Sequence, residues 1–299
     1  MIVQILGSAA GGGVPQWNCA CRQCDAARRG LIAQRTQCGA AISADGRRWI
    51  LVNASPDLRS QLIRLRSQPP PQTRRSPVEA VLLSDADLDH TLGLFLLREN
   101  ESPVSVYASL AIKKAVEEGL RITEVLNSYC GLRWVTPPSH FEPLLCRDGT
   151  ESGLEYHSVE IEGPGPRYLK GDNSSCRLFY VLRESATGKS VLIAPAVAQL
   201  EPQLLAELSQ ADAILFDGTF WSNDDWEKSG IGGFSFAELL QNHLPILNGF
   251  KTLAAQRAKH KVYVHVNNTN PILWNTSPER QLLNDLGIDV AVDGMAIEL

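Results

Sequence analysis

The sequence predicts an α/β (α+β) fold in which a mixed β-sandwich is covered by helices, and three observations carry that expectation. Short apolar, β-branched segments come first in runs and later alternate with helical periodicity, which suits packed mixed sheets better than a doubly wound parallel sheet. The 299 residues are 44% hydrophobic, enough to bury a substantial core. No shift of composition, internal repeat or low-complexity tract divides the chain, so 1–299 is read as one domain.

Alternation and β-branched content predict strands near 2–6, 38–44, 48–53, 79–83, 103–107, 154–161, 177–183, 189–194, 212–216, 261–266 and 288–292. Helical periodicity predicts helices over 55–66, 92–98, 109–118, 121–128, 198–209, 235–242, 249–258 and 278–285. Pro69-Pro70-Pro71 with Arg74, Arg75 and Ser76 reads as a polar loop between helix 55–66 and strand 79–83.

Twenty-eight basic residues against 33 acidic ones give a net charge of -5, and neither sign gathers into blocks that could track a phosphate backbone. Nucleic acid is therefore not an expected partner. Met1-Ile2-Val3-Gln4-Ile5-Leu6 lacks the basic start and longer apolar stretch of a signal peptide and reads as a first strand. No apolar run approaches the roughly 18 to 20 residues that span a bilayer. A cytoplasmic enzyme without a membrane partner is expected, and the sequence leaves its oligomeric state open, a homo-oligomer included.

Strand Glu79-Ala80-Val81-Leu82-Leu83 runs into Ser84-Asp85-Ala86-Asp87-Leu88-Asp89-His90 and then into an apolar helix start. Three carboxylates and an imidazole are thus held at one strand-to-helix turn. Carboxylates at such close quarters repel one another and call for a cation or for water. A solvated helix N-terminus is the plainer reading. Later, Lys261-Val262-Tyr263-Val264 delivers His265 to the polar stretch Val266-Asn267-Asn268-Thr269-Asn270-Pro271. Asp217, in Phe216-Asp217-Gly218-Thr219, is either a ligand or acceptor for such a site or a turn residue before glycine.

Seven cysteines are an odd number, and Cys19-Ala20-Cys21-Arg22-Gln23-Cys24 has a spacing suited to one metal ion rather than to disulfides. Three thiolates and one imidazole make a common closed zinc site. His243, before Leu244-Pro245, is the favoured fourth ligand, with Cys38 as the local alternative. Cys130, Cys146 and Cys176 have no ligand-like spacing and read as small buried hydrophobes. Gly7-Ser8-Ala9-Ala10-Gly11-Gly12-Gly13 lacks the Gly-Lys-Ser/Thr ending of a phosphate loop, so its glycines are expected to allow an unusual backbone path near the zinc site and substrate pocket.

The aspartate-rich turn resembles the His-x-His-x-Asp-His signature of the metallo-β-lactamase superfamily, with Asp85 and Asp87 standing where the first two histidines would be and Asp89 and His90 keeping the final pair. That resemblance implies a four-layer αββα sandwich and a late ligand histidine at a strand end, here His265. Asp89, His90 and His265 would then be a two-histidine, one-carboxylate set of the kind that holds non-haem iron and also suits zinc or manganese. Val191-Leu192-Ile193-Ala194-Pro195-Ala196, where a bridging acid is usual, has none, which argues with the lost histidines for one active-site metal.

Three passages, Leu6–Gly13 with Pro15-Gln16-Trp17-Asn18-Cys19, Ser84–Leu94, and His265–Leu273, together resemble the coenzyme PQQ synthesis protein B family over nearly the whole chain. The resemblance supports a histidine from the later half of the chain at the cysteine site. It implies a bacterial enzyme of pyrroloquinoline quinone biosynthesis that uses Fe(II), dioxygen and electrons to hydroxylate the tyrosine ring of a small, peptide-derived, cross-linked Glu-Tyr intermediate, with a structural Zn(II) elsewhere. Asp85, Asp87, Asn267 and Asp217 would surround the iron as acceptors or proton carriers. The competing readings are a metallohydrolase that uses Asp85 and Asp87 to bind a second ion, and a non-catalytic carrier that kept the fold.

Overall fold

The computed structural model describes residues 1–66, 75–169, 177–230 and 242–299. Pro69-Pro70-Pro71, Arg74, Cys176 and all of the expected helix 235–242 except Asn242 lie outside the described residues.

Two seven-stranded sheets face one another. In the first, β1 (Ile2–Gly7), β2 (Gly39–Ser43) and β3 (Trp49–Val52) form an antiparallel run. β4 (Val78–Leu82), β5 (Val104–Tyr107) and β6 (Leu132–Val135) then continue from β3 in parallel. In the second, β7 (Glu142–Leu145), β8 (Glu151–Ile161), β9 (Arg177–Glu184) and β10 (Ser190–Ala194) are antiparallel neighbours. β11 (Ala213–Asp217), β12 (His260–Val264) and β13 (Asp289–Val290) follow β10 in parallel. The last strand, β14 (Ala296–Glu298), returns to the edge of the first sheet beside β1. The mixed sandwich expected from the strand pattern is the architecture found.

The period-2 alternation of each strand sorts its side chains between two cores. Leu178, Tyr180 and Leu182 of β9 enter the core between the sheets, with Ile5, Val52 and Leu82 from the other side. Their neighbours Phe179 and Val181 face outward, where Leu204, Leu208, Ile246, Leu253 and Leu283 cover them from the helices Pro202–Leu208, Ile246–Ala254 and Pro278–Asp285. Leu58, Leu94 and Ile112 cover the first sheet from its own helices. The result is helix, sheet, sheet, helix, and each fully buried large apolar side chain contributes roughly 1.5–3 kcal/mol to it.

All eleven expected strands are present, whereas β6, β7 and β14 were not legible in the sequence. Each of the three lies at a sheet edge, where one flank meets solvent and the alternation is diluted by Arg133, Glu142, Pro143 and Glu298. Several helices differ from expectation at their ends. Helix 198–209 begins only at Pro202, whose fixed φ suits the first turn, and 92–98 winds as a 3-10 helix over Leu92–Glu99. A short helix over Arg22–Arg28 went unanticipated because the cysteines dominate its sequence.

The two sheets are tied at the ends of β4 and β9. The Tyr180 hydroxyl, fully buried, lies 2.9 Å from the Leu83 carbonyl and 3.1 Å from that of Tyr107, and the Leu178 amide donates to the Ser84 carbonyl at 2.6 Å. Removing the hydroxyl leaves the ring in place and takes away the donor. Tyr180→Phe is therefore expected to cost about 1 kcal/mol of unfolding free energy, visible as a lowered denaturant midpoint with an unchanged slope.

Candidate metal centre

The neighbouring strands β10, β11 and β12 of one sheet and β4 of the other send the loops that follow them to one cavity of about 480 Å3, whose polar residues those loops carry. Crevices outside the carboxyl ends of parallel strands are where open α/β sheets place ligands. Asp87, Leu88, Asp89 and His90 line it after β4, Ala196 after β10, Thr219 after β11, and His265 and Asn267 after β12. Ala10 and Gly11 of the glycine loop close one side, and Gly165, Arg167 and Tyr168 another. Gly11 keeps this wall close to the metal site, since a Cβ there would crowd the Asp89 carboxylate at 3.3 Å.

His90 is 1% exposed, and its Nδ1 lies 2.7 and 2.8 Å from the two oxygens of Asp85. Asp85 in turn accepts from the Ser84 hydroxyl at 2.8 Å and the Asp87 amide at 3.0 Å, and Asn53 grips Ser84 from the neighbouring strand end. An imidazole that donates from Nδ1 presents a lone pair at Nε2, and the Nε2 of His90 is buried without a hydrogen-bond partner among the described residues. The nearest carboxylate to it is Asp89, at 3.7 Å.

His265 arrives differently. Its φ is +56°, a left-handed conformation that a residue with a Cβ adopts only when its surroundings hold it there. Thr219 does so, with its Oγ1 2.8 Å from His265 Nδ1, while the hydroxyl proton goes to Asp217 Oδ1 at 2.6 Å. His265 therefore donates from Nδ1, and its Nε2 lies 3.3 Å from Asp89 Oδ2. Asp89, His90 and His265 thus come together as expected, with their ligand atoms within 4.8 Å of one another. Burial would raise Asp89, but His90 and the hydrogen bond to His265 outweigh it and hold its carboxyl near 2. Burial acts against the charge on His90 as well, and the charges of Asp85 and Asp89 overcome it to push His90 well above its ordinary value. A cation would replace that proton, and two imidazole nitrogens with one carboxylate fit iron, zinc or manganese.

Asp217 is engaged as an acceptor. Its Oδ2 receives the Val197 amide at 2.8 Å and His243 Nδ1 at 2.7 Å, and its Oδ1 the Thr219 amide and hydroxyl. Asn267 lines the cavity and donates to the Thr269 hydroxyl at 2.7 Å. Asp87 also lines the cavity; burial and the neighbouring Asp85 push it up to about 6 against the pull of Arg177.

The structure corrects the assignment of His243 to the cysteine site. His243 stacks on His265 with ring centroids 5.1 Å apart, is bonded to Asp217, and lines the metal-centre cavity. The expectation failed because the partner of a ligand is set by the strand end it packs against, and Asp217 of β11 draws His243 there. Cys38 is not at the cysteine site either: it is a buried thiol beside His90, pushed up by that burial. Among the other cysteines Cys146 is buried as expected, whereas Cys130 is only half-buried.

Cys19, Cys21 and Cys24 do converge, as a buried cluster at the start of the helix Arg22–Arg28. The group that joins them is Asn268, whose side-chain amide lies 3.2 Å from Cys19 Sγ, 3.3 Å from Cys24 Sγ and 3.6 Å from Cys21 Sγ. The hydrogen bond from Cys24 lowers Cys21 to about 5, and the same contact, with burial, pushes Cys24 up. The amide's oxygen and nitrogen differ little in shape, so the same side chain turned over offers an oxygen ligand. Asn268 lies in a polar run of the sequence, where one asparagine among several carries no ligand signal of its own.

Two results are expected. Thr219→Val keeps the shape of the side chain and removes the acceptor of His265 Nδ1, so divalent-metal affinity at the cavity falls about 10- to 100-fold by equilibrium titration, and Thr219→Ser restores it. Cys21→Ser loses the zinc expected at the cysteines. Because Gln23 docks the loop of His265 through the Thr269 carbonyl at 2.9 Å and Asn268 of that loop meets the cysteine sulfurs, the same variant weakens binding at the cavity, as elemental analysis of both metals will read.

Among the described residues no helix is long and apolar enough to cross a membrane. A model of the β-lactamase superfamily domain matches residues 48–266. Coenzyme PQQ synthesis protein B of Cupriavidus necator is 38% identical over 99% of this chain and 99% of that protein. The protein of the same name from Methylococcus capsulatus is 37% identical over 100% of both. Of solved structures, Zn2+-bound PqqB from Methylobacterium extorquens is similar with a TM-score of 0.88 and 33% identity, covering 100% of each chain. A diphosphatase of the PhnP family shares the fold, with a TM-score of 0.71 and 17% identity over 100% of this chain and 96% of that one.

Proposed function

Because the chain belongs to the coenzyme PQQ synthesis protein B family within the metallo-β-lactamase superfamily, we propose that it serves pyrroloquinoline quinone biosynthesis as an iron-dependent oxygenase. The substrate in this reading is a small cross-linked Glu-Tyr compound, and the reaction places a hydroxyl on its tyrosine ring. What supports the reading most is the donor set: one carboxylate and two imidazoles whose Nδ1 atoms are both engaged, at the wall of a cavity large enough for such a compound. Ferrous iron held by Asp89, His90 and His265 supplies activation of dioxygen. The ring gains one oxygen atom, the other leaves as water, and two electrons and two protons are consumed.

The chain's own residues position and move protons. Asp85 fixes the His90 ring, and Thr219 backed by Asp217 fixes that of His265. His243 donates from Nδ1 to Asp217, which leaves Nε2 on the cavity side as a base. Burial lowers His243 despite the raising pull of Asp217, which favours the neutral ring that can accept a hydrogen bond from the substrate phenol and relay its proton during the reaction. Zinc at Cys19, Cys21, Cys24 and Asn268 has a structural part in the same proposal.

A hydrolase would need Asp85 and Asp87 as ligands of a second ion. Asp85 already accepts from Ser84, the Asp87 amide and His90, and Asp87 is paired with Arg177 at 3.3 Å, which disfavours that use. The deciding experiment loads the protein anaerobically with ferrous iron, counts iron and zinc, and supplies isotopically labelled dioxygen with a Glu-Tyr cross-linked compound. A product heavier by one labelled oxygen, lost together with one iron in His90→Ala and His265→Ala, is expected. Two active-site metals with hydrolysis and no oxygen uptake would overturn the proposal.

A further inference from the structure

Arg177 is the first residue of β9, yet its charge belongs to the turn after β4 in the other sheet. It is 3% exposed, and Nη2 lies 3.3 Å from Asp87 Oδ2. The next residue, Leu178, donates its amide to the Ser84 carbonyl at 2.6 Å, which fastens the start of β9 directly to the aspartate-rich turn. Gly163 leaves room for the side chain to lie flat, since a Cβ there would meet Arg177 Cδ at 2.2 Å. A guanidinium kept for directional recognition makes paired hydrogen bonds. Here Nε and Nη1 are buried without a partner among the described residues, so what Arg177 supplies to this turn is chiefly charge.

That charge answers a definite deficit. Asp85, Asp87 and Asp89 bring three carboxylates to one turn, Asp85 buried and the other two half-buried, and a single ion at Asp89, His90 and His265 would sit on the far side of His90 from Asp85. Buried carboxylates need a nearby cation. In the two-ion members of the superfamily that cation is a metal held by the first two positions of the signature, which are Asp85 and Asp87 in this sequence. We infer that the Arg177 guanidinium is a permanent, covalently tethered cation in the place of that metal, and that it restricts the cavity to one exchangeable ion. The inference rests on the metal site at Asp89, His90 and His265 but not on the oxygenase chemistry assigned to it. An arginine suits the part because it stays charged at any working pH and cannot be removed by a chelator.

The experiment counts metal, so its outcome is separate from that of the oxygen-incorporation test. Mn2+ prefers oxygen and nitrogen donors to thiolates and therefore reports the cavity rather than the cysteines. Full-length protein stripped with a chelator is titrated with Mn2+, and the free ion is followed by electron paramagnetic resonance. One ion per chain is expected for the wild type and for Arg177→Lys, which keeps the charge, and two for Arg177→Met. A folded Arg177→Met that still binds a single ion with unchanged affinity would overturn the inference. Should Arg177→Met fail to fold, Asp87→Asn serves instead. It leaves Arg177 unbalanced beside the site and is expected to weaken the single Mn2+ at least tenfold, and an affinity within twofold of wild type would equally overturn it.

Discussion

The rest of the site depends on the left-handed turn at His265. At φ +56° the residue carries a backbone cost on the order of 1–3 kcal/mol, and that cost is offset only by what surrounds it. The Val266 amide donates to Ser8 and the Ala10 amide to Val266, binding the turn to the glycine loop after β1. The Asn267 amide donates to Thr219, binding it to the end of β11. Three residues later in the same loop Asn268 meets the three cysteine sulfurs. One loop therefore carries a donor for the cavity and the contact that completes the cysteine cluster, and neither site can shift without the other.

The same economy governs the electrostatics. Each imidazole of the cavity is oriented by an acid, directly for His90 and His243 and through the Thr219 hydroxyl for His265. Orientation by a second partner is what fixes the tautomer of a ligand histidine, and it explains why the turn after β4 keeps Asp85, whose oxygens hold Nδ1 of His90. The parallel halves of both sheets supply much of the geometry, because consecutive parallel strands send their following loops to the same end, where the glycine loop after β1 joins them.

Much of the fold was legible because period-2 alternation survives wherever both flanks of a strand are paired. β4 and β9 through β12 are apolar enough to be recognised without any partner in view. The edge strands β6, β7 and β14 were missed for the complementary reason, since solvent on one flank relaxes the pattern. Asp89, His90 and His265 were identified from a turn signature and a strand end, and they meet in space. His243 was assigned to the wrong centre, and Thr219, Asn268 and Arg177 were not singled out at all.

The sequence by itself determined the sandwich class, the aspartate-rich turn, the cysteine cluster and the expectation of one active-site ion, because each is written in residues close together along the chain. Tertiary structure alone decided which distant groups complete them. His243 joins Asp217 rather than the cysteines, Asn268 takes the place expected for a histidine, and Arg177 reaches across from the second sheet to Asp87. The physical reason is that local spacing specifies a turn and the side chains it presents, whereas the partner of a buried charge or lone pair is chosen by how the two sheets pack.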